Sequence, residues 1–140
     1  MKDDLEMLLP DTLRSVACRN GGEWGWQPET IPLVIDEAEK LGLLNVGGQL
    51  QFLMPEGTCE CYRVEVNALK GEPVGLTWSE RVALSAKNAR RQMVDITRFY
   101  DFIAEGRKAF AGPFAAYEAT GGSVRDRMCF IWYLQADRRP

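Results

Sequence analysis

The chain contains no histidine. Imidazole is the usual general base near neutral pH and the commonest metal ligand, so its absence excludes Ser-His-Asp and Cys-His mechanisms and removes most transition-metal chemistry. Cysteine is sparse: Cys18, Cys59, Cys61 and Cys129 are too few and too scattered to read as a disulfide framework, and four reduced thiols are expected. Long apolar runs are missing too. Stretches such as Phe130 to Leu134 fall far short of the roughly 20 residues of a membrane span. The start, MKDDLEMLLPD, carries acids where a secretory signal carries bases, so a soluble, cytoplasmic chain with no membrane partner is expected.

What is present suffices for one core. With 46% hydrophobic residues in 140, a single globular domain spanning 1–140 is expected. Charge is unevenly placed. Residues 1–60 hold 4 Lys/Arg against 11 Asp/Glu, a net of −7, whereas 61–140 hold 13 against 9, a net of +4. That asymmetry bears on partners and association rates more than on fold.

Periodicity then divides the chain. Leu5 to Cys18 has helical spacing broken by Pro10, and Asn20-Gly21-Gly22 ends it. Pro28 opens a helix over 28–41 whose core face is Ile31, Val34, Ile35, Ala38 and Leu41, stopped by Gly42. From Gln49 the period becomes two, and the PEGT turn at Pro55 to Thr58 joins two strands into a hairpin over 49–67. Thr77 with Glu80 forms a capping box, followed by a stripe of Val82, Ala86, Ala89, Met93, Ile96, Tyr100 and Ile103. With no Gly or Pro from Ser79 to Glu105, the spacing predicts a helix that could run for about 40 Å, a break near Gln92 remaining open. Gly112 and Pro113 split the next stretch, and MCFIWYL is a last strand near 128–135. The expected class is α+β: a small antiparallel sheet, hairpin plus C-terminal strand, packed against an acidic helix and a long helix.

Candidate chemistry is thin. Cys59 and Cys61 lie on one face of a strand, but no second pair has zinc spacing, so packing is preferred to metal binding. Gly47-Gly48 lies between a helix and a strand, the reverse of a phosphate cradle, and supplies positive φ and close backbone approach. No metal and no cofactor are expected. The arginines from Arg81 to Arg98 are interleaved with acids, which favours a solvated helix face with intrahelical ion pairs and disfavours nucleic acid. Trp24 and Trp26 precede the acidic helix, where large rings either cover the core or anchor a partner. Glu29, Asp36, Glu37 and Glu39 form an acidic strip on that helix.

The segment order is informative: WGWQPE, the acidic helix ETIPLVIDEAEKLGLL, NVGGQLQF, a hairpin, then WSERVALSAKNARRQMVDI. It resembles the immunity protein 40 family of bacterial polymorphic toxin systems over about Trp24 to Ile96, with GLLNVGG (Gly42 to Gly48) as the best piece and Gln49 where the family's pattern implies an acid. The resemblance implies a non-enzymatic cytoplasmic protein that neutralises a cognate toxin by occluding its active or substrate-binding surface. Trp24, Trp26, Glu29, Asp36, Glu37 and Glu39 are then the expected contact residues, the acids mimicking phosphate against a basic cleft. The alternative is a small-molecule-binding or enzymatic domain with a cleft between sheet and long helix, using Tyr62, Arg63, Tyr100 or Cys61. A homodimer through an exposed part of the long stripe stays open.

Overall fold

The structure, a computed structural model, describes residues 4–138. It is α+β, with a five-stranded antiparallel sheet in the order β1-β2-β5-β3-β4. The strands are β1 (Cys18–Asn20), β2 (Glu23–Trp26), β3 (Leu44–Met54), β4 (Gly57–Asn67) and β5 (Met128–Gln135). The helices are α1 (Asp11–Arg14), α2 (Ile31–Lys40), α3 (Trp78–Phe99), α4 (Phe102–Ala109) and α5 (Ala111–Ala119).

The last strand of the chain occupies the centre of the sheet, hydrogen-bonded to β2 on one side and β3 on the other. Its even-numbered residues Phe130 and Trp132 join Trp24, Trp26, Leu50 and Phe52 in the main core. Cys129 and Ile131, which point to the opposite face, are fully buried as well, and a strand covered on both faces accepts apolar residues at consecutive positions, as in the run CFIW. Helix α2 buries Ile31, Val34, Ile35 and Ala38, and α3 buries Val82, Ala86, Ala89 and Met93; Leu41, expected on the core face of α2, is instead its C-cap and exposed. Ile96, Tyr100 and Ile103, partly buried, pack against the same cluster, so the heptad-like stripe faces this chain's own sheet. Buried Asn45 ties the layers together. Its amide donates to the Ile35 carbonyl at 3.2 Å, its side-chain oxygen accepts from the Trp132 indole at 2.9 Å, and its backbone N–H donates to Ser85 Oγ at 3.0 Å.

Helix ends follow local chemistry. Thr77 and Glu80 make the expected reciprocal capping box. Past α2, Gly42 N–H bonds the Glu39 carbonyl and Leu43 N–H that of Ala38, while Gly42 adopts a φ of +74°. The long helix does not continue to Glu105. It stops at Phe99, Tyr100 is extended, and the Asp101 carboxylate accepts the Ala104 N–H to start α4. An aspartate in N-cap position competes with helix continuation wherever its oxygen can reach the N–H three residues on. Helix α5 likewise runs through Gly112 and Pro113, which occupy its first turn, where proline costs no hydrogen bond.

The N-terminal third departs most from expectation. A 3₁₀ turn at Leu5–Leu8 and the short α1 flank Pro10, as the broken periodicity predicts, but Cys18 belongs to a strand. Asn20 pairs with Glu23, so Gly21-Gly22 is a hairpin turn rather than a helix stop. Gly47 and Gly48 are within β3, not before it. Gly47 has φ +129° at a bulge, and a Cβ on Gly48 would stand 1.6 Å from the Ile131 carbonyl oxygen.

The expectation of four reduced thiols is also overturned. Cys18 and Cys129 are disulfide-bonded across 111 residues, with Cα atoms 6.1 Å apart. Cys18 pairs with Gly25 in β1–β2, and Gly25 pairs with Ile131 in β5. The bond therefore passes over β2, and a Cβ at Gly25 would lie 2.5 Å from Cys129 Sγ. Spacing along the chain carries no trace of this, because the pairing depends on a strand order that separates the two residues by one strand.

Candidate functional site

The acidic strip is not a free anionic surface. Arg90 of α3 donates from Nε to Asp36 Oδ1 at 2.9 Å and from Nη2 to Glu39, and Glu37 is paired with Lys40 at 3.2 Å. The Arg90 guanidinium is held more firmly protonated than usual by its hydrogen bond to Glu39, with Asp36 adding to the effect. Four carboxylates facing two bases leave a net of −2, and of these four only Glu29 is both exposed and without an ion pair among the described residues. The arginine face of α3 is also corrected: its ion pairs, Arg81 with Glu72 and Arg90 with α2, reach other segments instead of lying within the helix.

The tryptophans are core, not anchors. Trp26 is fully buried and its indole donates to the Leu13 carbonyl at 2.8 Å. Trp24 is only 6% exposed, and the Arg19 guanidinium covers its ring at 4.0 Å. Neither ring can enter a partner's pocket. Of the residues considered for a sheet–helix cleft, Cys61 is buried in the core and its thiol is pushed up to about 11, chiefly by burial, with Cys59 and Glu105 adding to it. Tyr62 and Arg63 lie on a bulge of β4, where the partner of β3 steps from Glu65 to Cys61. Tyr100 alone lines a cleft.

That cleft, about 660 Å³, opens where the break after Phe99 turns α4 away from α3. Pro28, Glu29 and Pro32 form one wall, Arg90, Met93, Val94 and Arg98 another, and the start of α4 with Arg125 and Met128 closes it. The floor is apolar. Arg98 and Arg125 are exposed and make no ion pair among the described residues, which leaves two uncommitted guanidiniums beside apolar surface. Sequence reading places Arg98 on a solvated face and does not single out Arg125. The missing signals are the Asp101 cap, which ends α3 at the cleft, and the pairing of β5 with β2, which brings Arg125 beside Gln27, whose amide donates to the Arg125 carbonyl at 3.0 Å.

Two other features compete for attention. A groove of about 630 Å³ lies between the β3–β4 turn and α5, lined by Met54, Cys59, Pro113 and Tyr117. On the sheet face opposite the main core, Gln49 donates to Tyr133 Oη at 2.9 Å, and Tyr133 in turn donates to Glu23. Burial, first, and the Glu23 hydrogen bond raise the Tyr133 phenol above its ordinary range. Asn20 reaches Gln51 at 2.9 Å and Thr58 at 3.2 Å, so edge strand β1 touches β3 and β4 through the curl of the sheet. Among the described residues no buried side-chain nitrogen or oxygen lacks a partner, and no group of three or more acids or cysteines is placed to hold a metal. No helix of the described residues is long and apolar enough to cross a membrane. No family model matches the chain, and neither does any curated protein or solved structure.

Proposed function

We propose that this is a non-enzymatic immunity protein that binds a cognate bacterial toxin and occludes its active or substrate-binding surface, using the face built by α2, α3 and α4. The observation that carries this reading is the apolar side chains left uncovered around the cleft: Val94 on its wall is 48% exposed, and Leu33 and Phe99, chain neighbours of lining residues Pro32 and Arg98, are 57% and 84% exposed. Apolar residues framed by charges, here Glu29, Arg98 and Arg125, are the usual composition of a protein-binding surface. Glu29 is retained from the expected contact set. Asp36 and Glu39 act by holding Arg90 at the edge of that face.

The test is capture of a toxin domain by the tagged full-length chain from its source organism, repeated with a Leu33→Asp/Phe99→Asp variant of unchanged melting temperature. A near-stoichiometric toxin that this chain neutralises in co-expression, and that the variant fails to capture, supports the reading; equal capture by both moves the interface elsewhere. A cytoplasmic place of action belongs to the same proposal. The Cys18–Cys129 bond bears on it, since such bonds persist in oxidising compartments. Alkylation of intact cells followed by mass measurement decides it: both cysteines labelled is the cytoplasmic result, both protected points to export.

The second reading is small-molecule binding in the same cleft. Its volume falls within the roughly 300–1,000 Å³ of typical ligand sites, and its lining is mainly apolar with a few polar groups.

A further inference from the structure

We infer that the cleft between α2, α3 and α4 binds a small organic acid, a carboxylate carried on an apolar body. The inference rests on the second reading above and names the ligand class. Met93, Val94, Phe102 and Met128 offer apolar surface, and the two methionines can adapt to an irregular aliphatic or aryl shape. Arg98 and Arg125 supply the polar end. Guanidinium groups bind carboxylates through paired N–H donors, and neither of these two is occupied by an acid among the described residues. Arg90 is different: two carboxylates, Asp36 and Glu39, already offset its charge, so it serves as a wall.

Two acids also line the cleft, and they set the geometry of the expected pose. Asp101 is engaged in capping α4 through the Ala104 N–H at 3.1 Å. Glu29 is exposed and unpaired, so its charge opposes an anion bound beside it and favours a pose in which the carboxylate meets the arginines instead. The other cavities carry less. The groove beside α5 has no cation in its lining, and the polar network around Tyr133 is already internally satisfied.

Decanoate and decanol, which share an apolar tail, are titrated against the full-length protein by calorimetry. Decanoate is expected to bind at least tenfold more tightly than the alcohol, with affinity falling as salt is raised. Arg98→Ala/Arg125→Ala should remove that preference, Glu29→Gln should tighten decanoate by about threefold, and Val94→Trp should block both ligands by filling the cleft. Equal binding of acid and alcohol, or a decanoate affinity unchanged in the double arginine variant, overturns the carboxylate assignment while leaving small-molecule binding in place. Failure of both ligands to bind overturns the two together. Should the alanine pair melt early, Arg98→Gln/Arg125→Gln keeps the side-chain bulk and tests the same charge.

Discussion

A single methyl group distinguishes three glycines that look alike in sequence. At Gly48 an added Cβ would meet the Ile131 carbonyl oxygen at 1.6 Å, and at Gly47 that of Val66 at 2.0 Å with φ already at +129°. Gly48→Ala should therefore cost about 3 kcal/mol or more in denaturant unfolding. At Gly112, in the first turn of α5, an added Cβ would meet nothing beyond its chain neighbours, but Pro113 follows and disfavours helical geometry for a preceding residue with a Cβ, so Gly112→Ala should change stability by less than about 0.5 kcal/mol. Cys61 offers a pH test. Its folded pKa of about 11 lies above the ordinary 9.0, so the folded state holds the proton more tightly. That contribution is present in full below pH 9 and is lost as pH rises through 11. The melting temperature should fall over that interval, and less so in Cys61→Val. Paired glycines announce backbone freedom from sequence alone. Which carbonyl they must admit was not legible, because Ile131 is 83 residues away.

At the scale of elements, the break between α3 and α4 decides whether the cleft exists. Helical spacing runs through it without interruption, since Ile96, Tyr100 and Ile103 still reach the core after the bend. Periodicity reports which face is buried and is insensitive to the two non-helical residues, Tyr100 and Asp101. Asp101→Ala removes the cap that starts α4 and should destabilise the protein by about 1 kcal/mol. It should also raise hydrogen exchange at Phe102 to Ala104 above that in the body of α3. The start of α3 was readable outright from Thr77 and Glu80, because a capping box lies within four residues. The Glu80 carboxyl is held below its usual range by the Thr77 backbone N–H. Its support for the cap is therefore present above the ordinary carboxylate range and is lost as pH falls through the lowered value. The arginine pairing shows the opposite case. Nothing near Arg90 in sequence indicates that Asp36 and Glu39, on another helix, will take its donors.

Across the whole molecule, the Cys18–Cys129 bond joins the edge strand β1 to central β5 and encloses most of the chain. Linking residues 111 apart restricts the unfolded ensemble strongly, so reduction or Cys18→Ala/Cys129→Ala should lower stability by about 2–5 kcal/mol, read as a shift in denaturant midpoint with and without dithiothreitol. Cys59 and Cys61, buried under helices, should stay unlabelled by iodoacetamide until the protein unfolds. By itself the sequence determined the α+β class, the apolar faces of α2 and α3, the β3–β4 hairpin, the last strand and the N-cap of α3, all of which depend on residues a few positions apart. Only the tertiary structure decided that Trp24 and Trp26 are core, that the acidic strip is half neutralised, that two cysteines meet over Gly25, and that Arg98 and Arg125 share a cleft. Those outcomes depend on strand order and on one helix break, which set distances between residues tens of positions apart that no local pattern encodes.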